Sequence, residues 1–224
     1  MAKSQIIRDL ANGKVDLHTS LKRTKVILQE IRNDDINDWI NNEIEGYKNI
    51  EDIPEYRKVR GILRGSFIDG VLNRCNVAIP LNNVDDNDIE ALVVNSSKQS
   101  IYALQQVISS NHSFERKLTH QECAYLSKKT GYGIYDAYAQ TDSSAVMNIL
   151  SQVENKLLDI LICLEKEFGN LDELDIDVAN KSNKDLKEII NYICVIIHDD
   201  KSVTIGSNNE LNNSNVASLI KNKD

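Results

Sequence analysis

SSAVMNILSQVENKLLDILICLEKEF, residues 143–168, is the stretch that decides the fold. Val146, Val153, Leu157, Ile160, Leu164 and Phe168 recur at helical spacing, and Ile149, Leu150 and Leu161 widen the seam. One apolar stripe with a charged opposite face predicts a long amphipathic helix. Asp142-Ser143-Ser144 supplies side-chain oxygens for the first free N–H groups, and Gly169 stands where a helix-ending glycine belongs. A helix of this kind must bury its stripe against other elements, so neighbours are expected on both sides of it in sequence.

Upstream, residues 4–12 place Ile6, Ile7 and Leu10 on one side, and Gly13 stops the run. From Leu17 a second helix carries Leu17, Leu21, Leu28 and Ile31 inward. Asn33-Asp34-Asp35 breaks it and caps a third, in which Ile36, Trp39, Ile40 and Ile44 share a face up to Gly46. Short joints between three helices predict an N-terminal helical bundle. The phase of Trp39 with Ile36 and Ile40 makes it a core anchor. Downstream of the long helix, an acidic connector, 171–177, leads to another apolar helix over 184–197.

The period changes near Pro54. Alternation over about 58–68 and 71–79, with Gly70 between, predicts two strands of a small antiparallel element that Pro80 ends. Helical patterns return at about 86–94 and 98–109, residues 110–131 decide nothing, and 134–140 alternates like a strand. The last segment is rich in Asn, Ser and Gly, with Val203, Ile205, Leu211 and Val216 at short steps. It reads as a hairpin or as one rung of a parallel β-helix. The expected fold is α+β and helix-dominated: an N-terminal helical bundle, a small antiparallel β-element, the long C-terminal helix and a short Asn-rich β tail. Its expected division is a globular body over 1–200 and a β appendage over 201–224 for oligomerisation or partner binding.

Composition narrows the function. The chain has 224 residues, 41% of them hydrophobic, enough for a sizeable core. A net charge of -8 argues against a general nucleic-acid coat, so nucleic acid is a disfavoured partner. Charge is uneven: Lys22, Arg23, Lys25 and Arg32, then Arg57 to Arg74, are basic, whereas 165–177 is acidic. That asymmetry suits self-association or a protein partner. Four scattered cysteines without a CxxC pair are expected to be reduced thiols, two of them core fillers, in a cytoplasmic protein. No signal-peptide pattern and no apolar run of membrane-spanning length is present; the longest candidate, 189–197, is far too short.

No catalytic set, metal site or cofactor motif emerges. His18, His112, His120 and His198 lack the spacing of a helical metal site. His198-Asp199-Asp200 ends a helix, where a cation beside the last carbonyls is structurally favourable. The run Asp172 to Asp177 lacks the glycine and final glutamate of a calcium loop. Gly61, Gly65 and Gly70 fit strand bends and turns and form no phosphate-binding fingerprint. The best polar cluster is Tyr56 with Arg57, Arg60 and Arg64. Arg60 and Arg64 keep one strand face, because four residues preserve the alternation, and two guanidiniums there would suit an anionic surface.

Several stretches together resemble a known family: Leu21 to Arg32 followed by Ile36-Asn-Asp-Trp-Ile-Asn-Asn-Glu-Ile-Glu-Gly-Tyr47, then Pro54-Glu-Tyr-Arg-Lys-Val-Arg-Gly61 leading to Gly65-Ser-Phe67. The long helix with Val153-Glu-Asn-Lys-Leu-Leu-Asp-Ile-Leu161, and its end at Leu164-Glu-Lys-Glu-Phe-Gly169, complete the set. This arrangement is similar to the AbiTii domain of bacterial phage-defence proteins over roughly residues 4–180. The resemblance implies a role in abortive infection and brings no catalytic residues with it. The expectation is a homo-oligomeric defence component that binds a protein or nucleic-acid partner, with no membrane contact. Arg57, Arg60 and Arg64 are the expected binding residues, and Val203, Ile205, Leu211 and Val216 the expected self-association residues. The alternative is a toxin-like effector, a nuclease or nucleotide-targeting enzyme.

Overall fold

The computed structural model describes residues 3–48, 50, 53–110 and 114–198. The tail at 201–224 therefore lies outside the described residues, with Val203, Ile205, Leu211 and Val216, as do His112 and Asp199-Asp200. The fold is α+β and helix-dominated, as expected. The chain divides into two compact units. One comprises Met1–Ile44 with Glu154–Asp224, the other Glu45–Val153.

The first unit is helical. It holds α1 (Gln5–Ala11), α2 (Leu17–Leu28), α3 (Asp34–Glu45, up to Ile44), the second half of α7 (Ser143–Phe168) and α8 (Asn183–His198). The seam of α7 is fully buried at Leu157, Ile160, Leu161 and Leu164, and Gly169 closes the helix at φ +93°. Asp16 caps α2 through the N–H of Thr19 at 3.0 Å, which holds its carboxyl below the usual range despite partial burial. Asn33 caps α3 by accepting from Ile36 N–H at 3.0 Å. Trp39 is buried, in phase with Ile36 and Ile40.

The N-terminus of α1 is held by carboxylates from α7 and from the acidic connector. Glu165 accepts from Ser4 N–H at 2.5 Å, from Ser4 Oγ at 2.6 Å and from Lys3 Nζ at 2.6 Å. Ser4 Oγ in turn accepts from Leu171 N–H at 3.0 Å, and Gln5 N–H donates to Asp172 at 2.5 Å. Burial pushes the Glu165 carboxyl up, but the bonds from Lys3 and Ser4 override it and hold it at about 2.

The second unit is built on a sheet. After a 3-10 turn at Glu55–Arg57 come β1 (Lys58–Arg60), β2 (Ile62–Asp69) and β3 (Leu72–Ala78). Then follow α4 (Asp86–Val93), β4 (Val94–Ser96), α5 (Ile101–Ser109), β5 (Phe114–Lys117), α6 (His120–Thr130) and β6 (Gly133–Thr141). β1 pairs with β4, and a four-stranded antiparallel sheet runs in the order β3-β2-β6-β5. Leu63, Phe67, Ile134, Ala137 and Ala139 line one face of that sheet and pack with Leu92, Val93, Cys123 and Leu126 from α4 and α6. The undecided stretch 110–131 thus contains an edge strand and a helix. Thr119 and Glu122 close a reciprocal capping box at the start of α6, and Gly131 ends it at φ +79°. Gly65 is required by space: a Cβ there would lie 2.3 Å from the carbonyl oxygen of Asp136.

Candidate functional site

The helices cover one face of the sheet and leave the other open. β2 bears Ile62, Arg64, Ser66 and Ile68 on the open side, with burial alternating along the strand. Two bulges meet at Ser66. Gly65 pairs with Val77 but Phe67 with Arg74, so Ser66 faces both Cys75 and Asn76. On the other side Ser66 pairs with Asp136 and Phe67 with Ile134, which leaves Tyr135 as an extra residue. Bulges re-aim side chains and recur beside functional sites.

Asn76 adopts φ +51°, a left-handed conformation that Asn tolerates better than most residues. Its neighbours hold it there. Its N–H donates to Ser66 Oγ at 3.2 Å, its carbonyl accepts from Arg64 at 2.7 Å, and its side-chain oxygen accepts from the Tyr138 hydroxyl. The Tyr135 hydroxyl donates to Asn73 at 2.9 Å. Both tyrosines start on β6 and bond to β3, so both side chains cross over β2. Around them stand Ile62, Ile68, Leu72 and Val77, all exposed, with Val71 at the hairpin tip 99% exposed. β2, β3 and β6 contain no lysine and no glutamate. These three strands thus set tyrosine, arginine and asparagine among exposed aliphatics, while Glu115 and Lys117 stand on the neighbouring β5.

The three arginines expected to act together separate. Arg57 is fully buried in the 3-10 turn, where it donates to the carbonyls of Ser97 at 3.1 Å and Gln99 at 2.6 Å. Its guanidinium lies 4.7 Å from the centre of the buried Tyr47 ring. It serves the interior, so the expected exposed trio is reduced to Arg60 and Arg64. Arg60 pairs with Glu90 of α4, and Arg64 binds Asn76. Tyr56 is buried as well.

Sequence reasoning missed Asn73, Asn76 and Tyr135. Uninterrupted alternation puts Tyr135 in the same set as the buried Ala137 and Ala139. The bulge reverses the phase, and Tyr135 is exposed. No residue pattern announces that bulge, although a strand richer in Asn than its neighbours was visible at Leu72–Ala78.

Beside the hydroxyls of the open face, Lys117 of β5 lies opposite Tyr138 in register and pairs with Asp136 at 3.3 Å, and Asp136 in turn lies opposite Ser66. Among the described residues no group of His, Cys, Asp and Glu could hold a metal ion. Burial, with its nearby Lys22, keeps the His18 imidazole below its ordinary value. The four cysteines are free; Cys75 is exposed, Cys123 and Cys194 are buried. Burial raises the Cys163 and Cys194 thiols to about 11, far from a reactive thiolate. Among the described residues no helix is long and apolar enough to cross a membrane.

The chain is thus a helix-dominated α+β protein with an open, double-bulged sheet face. The AbiTii family model matches residues 4–189, so the chain belongs to the AbiTii family. The family's name points to abortive infection, a form of phage defence. Comparison with curated proteins and with solved structures returns no match.

Proposed function

We propose that this chain serves abortive-infection defence as a binding component that acts by self-assembly and by contact with a protein partner. The observation that supports it best is the open face around Ser66, where Arg64, Tyr135 and Tyr138 stand among exposed aliphatics on strands without lysine or glutamate. Arg60 and Arg64 supply the charge for an anionic partner surface, and Val203, Ile205, Leu211 and Val216 supply apolar side chains for contact between copies.

The test is Arg60→Glu with Arg64→Glu in a phage plaque assay. Both side chains are outside the core, so the double variant is expected to keep its helical circular dichroism and to lose only a little melting temperature, from the broken Arg60–Glu90 pair and the freed Asn76 carbonyl. Protection against phage is expected to drop at least tenfold. Full protection by a folded double variant would remove the arginines from the site.

A further inference from the structure

We propose that the free edge of β3 receives residues 202–211 from the tail of a second copy as an added strand. This deepens the self-assembly reading above and rests on it.

β3 is the outermost strand in the order β3-β2-β6-β5, and all seven of its residues are exposed. An edge strand presents unpaired N–H and C=O groups, a template for another strand. Proteins usually guard such an edge with lysine, proline or a covering element. The sequence LNRCNVA of β3 has neither lysine nor proline, and its only guards are the single charge of Arg74 and the bulge at Asn76, which leave Leu72–Arg74 as a regular stretch of edge. Leu72 and Val77 add exposed apolar surface, continued by Val71 and Ile68. The opposite edge is different. β5 is four residues, FERK, of which Glu115, Arg116 and Lys117 are charged and Phe114 is half-buried. The sheet therefore has one densely charged edge and one that carries a single charge and a bulge.

The tail has the matching chemistry. Val203-Thr204-Ile205 is a β-branched run of the kind that favours strands. The only charge in residues 202–216 is Glu210, and the only charge on β3 is Arg74. Arg74 pairs with no carboxylate among the described residues, whereas Arg23, Arg60 and Arg116 each have one. A strand bearing one acid suits an edge bearing one unpaired guanidinium. Such a tail buries too little to offset its own ordering entropy, about 1–2 kcal/mol per residue, and gains from an edge that supplies ladder partners.

The experiment uses the full chain and measures mass by light scattering. Leu72→Lys with Arg74→Glu places a like-charged, guarded edge where the acceptor stands. In parallel, Thr204→Cys is oxidised mildly to trap a disulfide with the exposed Cys75, with Cys75→Ser as the control. The expected results are an assembly at least twice the 25.3 kDa chain, a monomeric edge variant with unchanged circular dichroism, and an interchain cross-link that the control abolishes. If the full chain is itself monomeric at micromolar concentration, the self-assembly reading fails and this inference with it. If assembly persists in the folded edge variant, or the Cys75 cross-link is absent or forms within one chain, only the β3 placement is overturned. Should the edge variant not fold, the cross-link decides.

Discussion

Changing Glu165 to Gln tests how the N-terminus of α1 is fixed. The carboxylate accepts from Ser4 N–H, Ser4 Oγ and Lys3 Nζ, all at 2.5–2.6 Å, and its side chain is 14% exposed. Its carboxyl moves from an ordinary 4.5 to about 2. At 1.36 kcal/mol per pKa unit that shift corresponds to roughly 3 kcal/mol, which the half-exposed, solvent-screened Lys3 reduces to about 2 kcal/mol. An amide keeps one acceptor but turns an N–H donor toward Lys3 or Ser4, so most of that stability is lost. For a chain of this size, about 2 kcal/mol lowers the melting temperature by roughly 4–8 °C. The folded-state value is depressed, so the contribution is complete above pH 4.5 and disappears as pH falls toward 2. Urea titrations followed by circular dichroism at several pH values measure it. The variant is expected to be destabilised at pH 7, and the difference to shrink steadily below pH 4.5 and vanish only as pH approaches 2. A difference under 0.5 kcal/mol at pH 7, or one independent of pH, would refute the account of the latch.

Arg57→Ala leaves the carbonyls of Ser97 and Gln99 without their donor and is expected to cost about 2–4 kcal/mol in urea melts, far more than Arg64→Ala. Gly65→Ala drives a methyl into the Asp136 carbonyl and is expected to cost about 3 kcal/mol or more, whereas Gly70→Ala, in open space at φ +60°, costs only the left-handed strain of about 1–2 kcal/mol. A chromogenic disulfide reagent at pH 8 is expected to titrate Cys75 in the native protein and the buried Cys123 and Cys194 only after unfolding. A fall in melting temperature on adding reductant would instead reveal a disulfide.

Some elements were legible because a single physical pattern specifies them. α7 combines a one-sided 3.6-residue stripe with a polar start and a glycine stop, and each signal concerns residues near in sequence. α1, α2 and α3 are legible for the same reason. The stretch 110–131 was not, because β5 is four residues long and α6 buries only Cys123 and Leu126, so neither carries enough apolar residues to show a period. The capping pair Thr119 and Glu122 was nevertheless present in the sequence and marks where α6 begins. The open face was half legible. Alternation places Arg60 and Arg64 outward, but Arg57 is drawn inside by Tyr47, Ser97 and Gln99. Those partners are 10 and about 40 residues away, beyond any local pattern.

The segments that carry the family resemblance most specifically, Trp39–Tyr47 and Pro54–Phe67, act largely inside the molecule. Gly46 combines φ +89° with a site where a Cβ would lie 2.7 Å from the carbonyl of Lys98, and the N–H of Tyr47 donates to that same carbonyl at 2.9 Å. Tyr47 then meets Arg57, and Arg57 ties down Ser97 and Gln99 on either side of Lys98. Gly61 and Gly65 bring the backbone of β2 and its approach against β6 more closely than any Cβ permits. These residues are fixed by how the backbone must pass through the second unit. They identify the fold without identifying what it touches. Apart from Asn73, Cys75 and Asn76, which contact Tyr135 and Tyr138, the exposed residues of β3 meet no such internal requirement, so their chemistry is free to follow a proposed partner. Substitutions in the Gly46–Arg57–Gln99 clamp should therefore lower stability without changing which partner is bound, while Leu72, Arg74 and Tyr135 variants should change binding at constant stability. Measuring melting temperature and assembly mass on both sets separates these two kinds of residue. A clamp variant that stays fully stable yet loses assembly would place the binding surface inside the family signature instead.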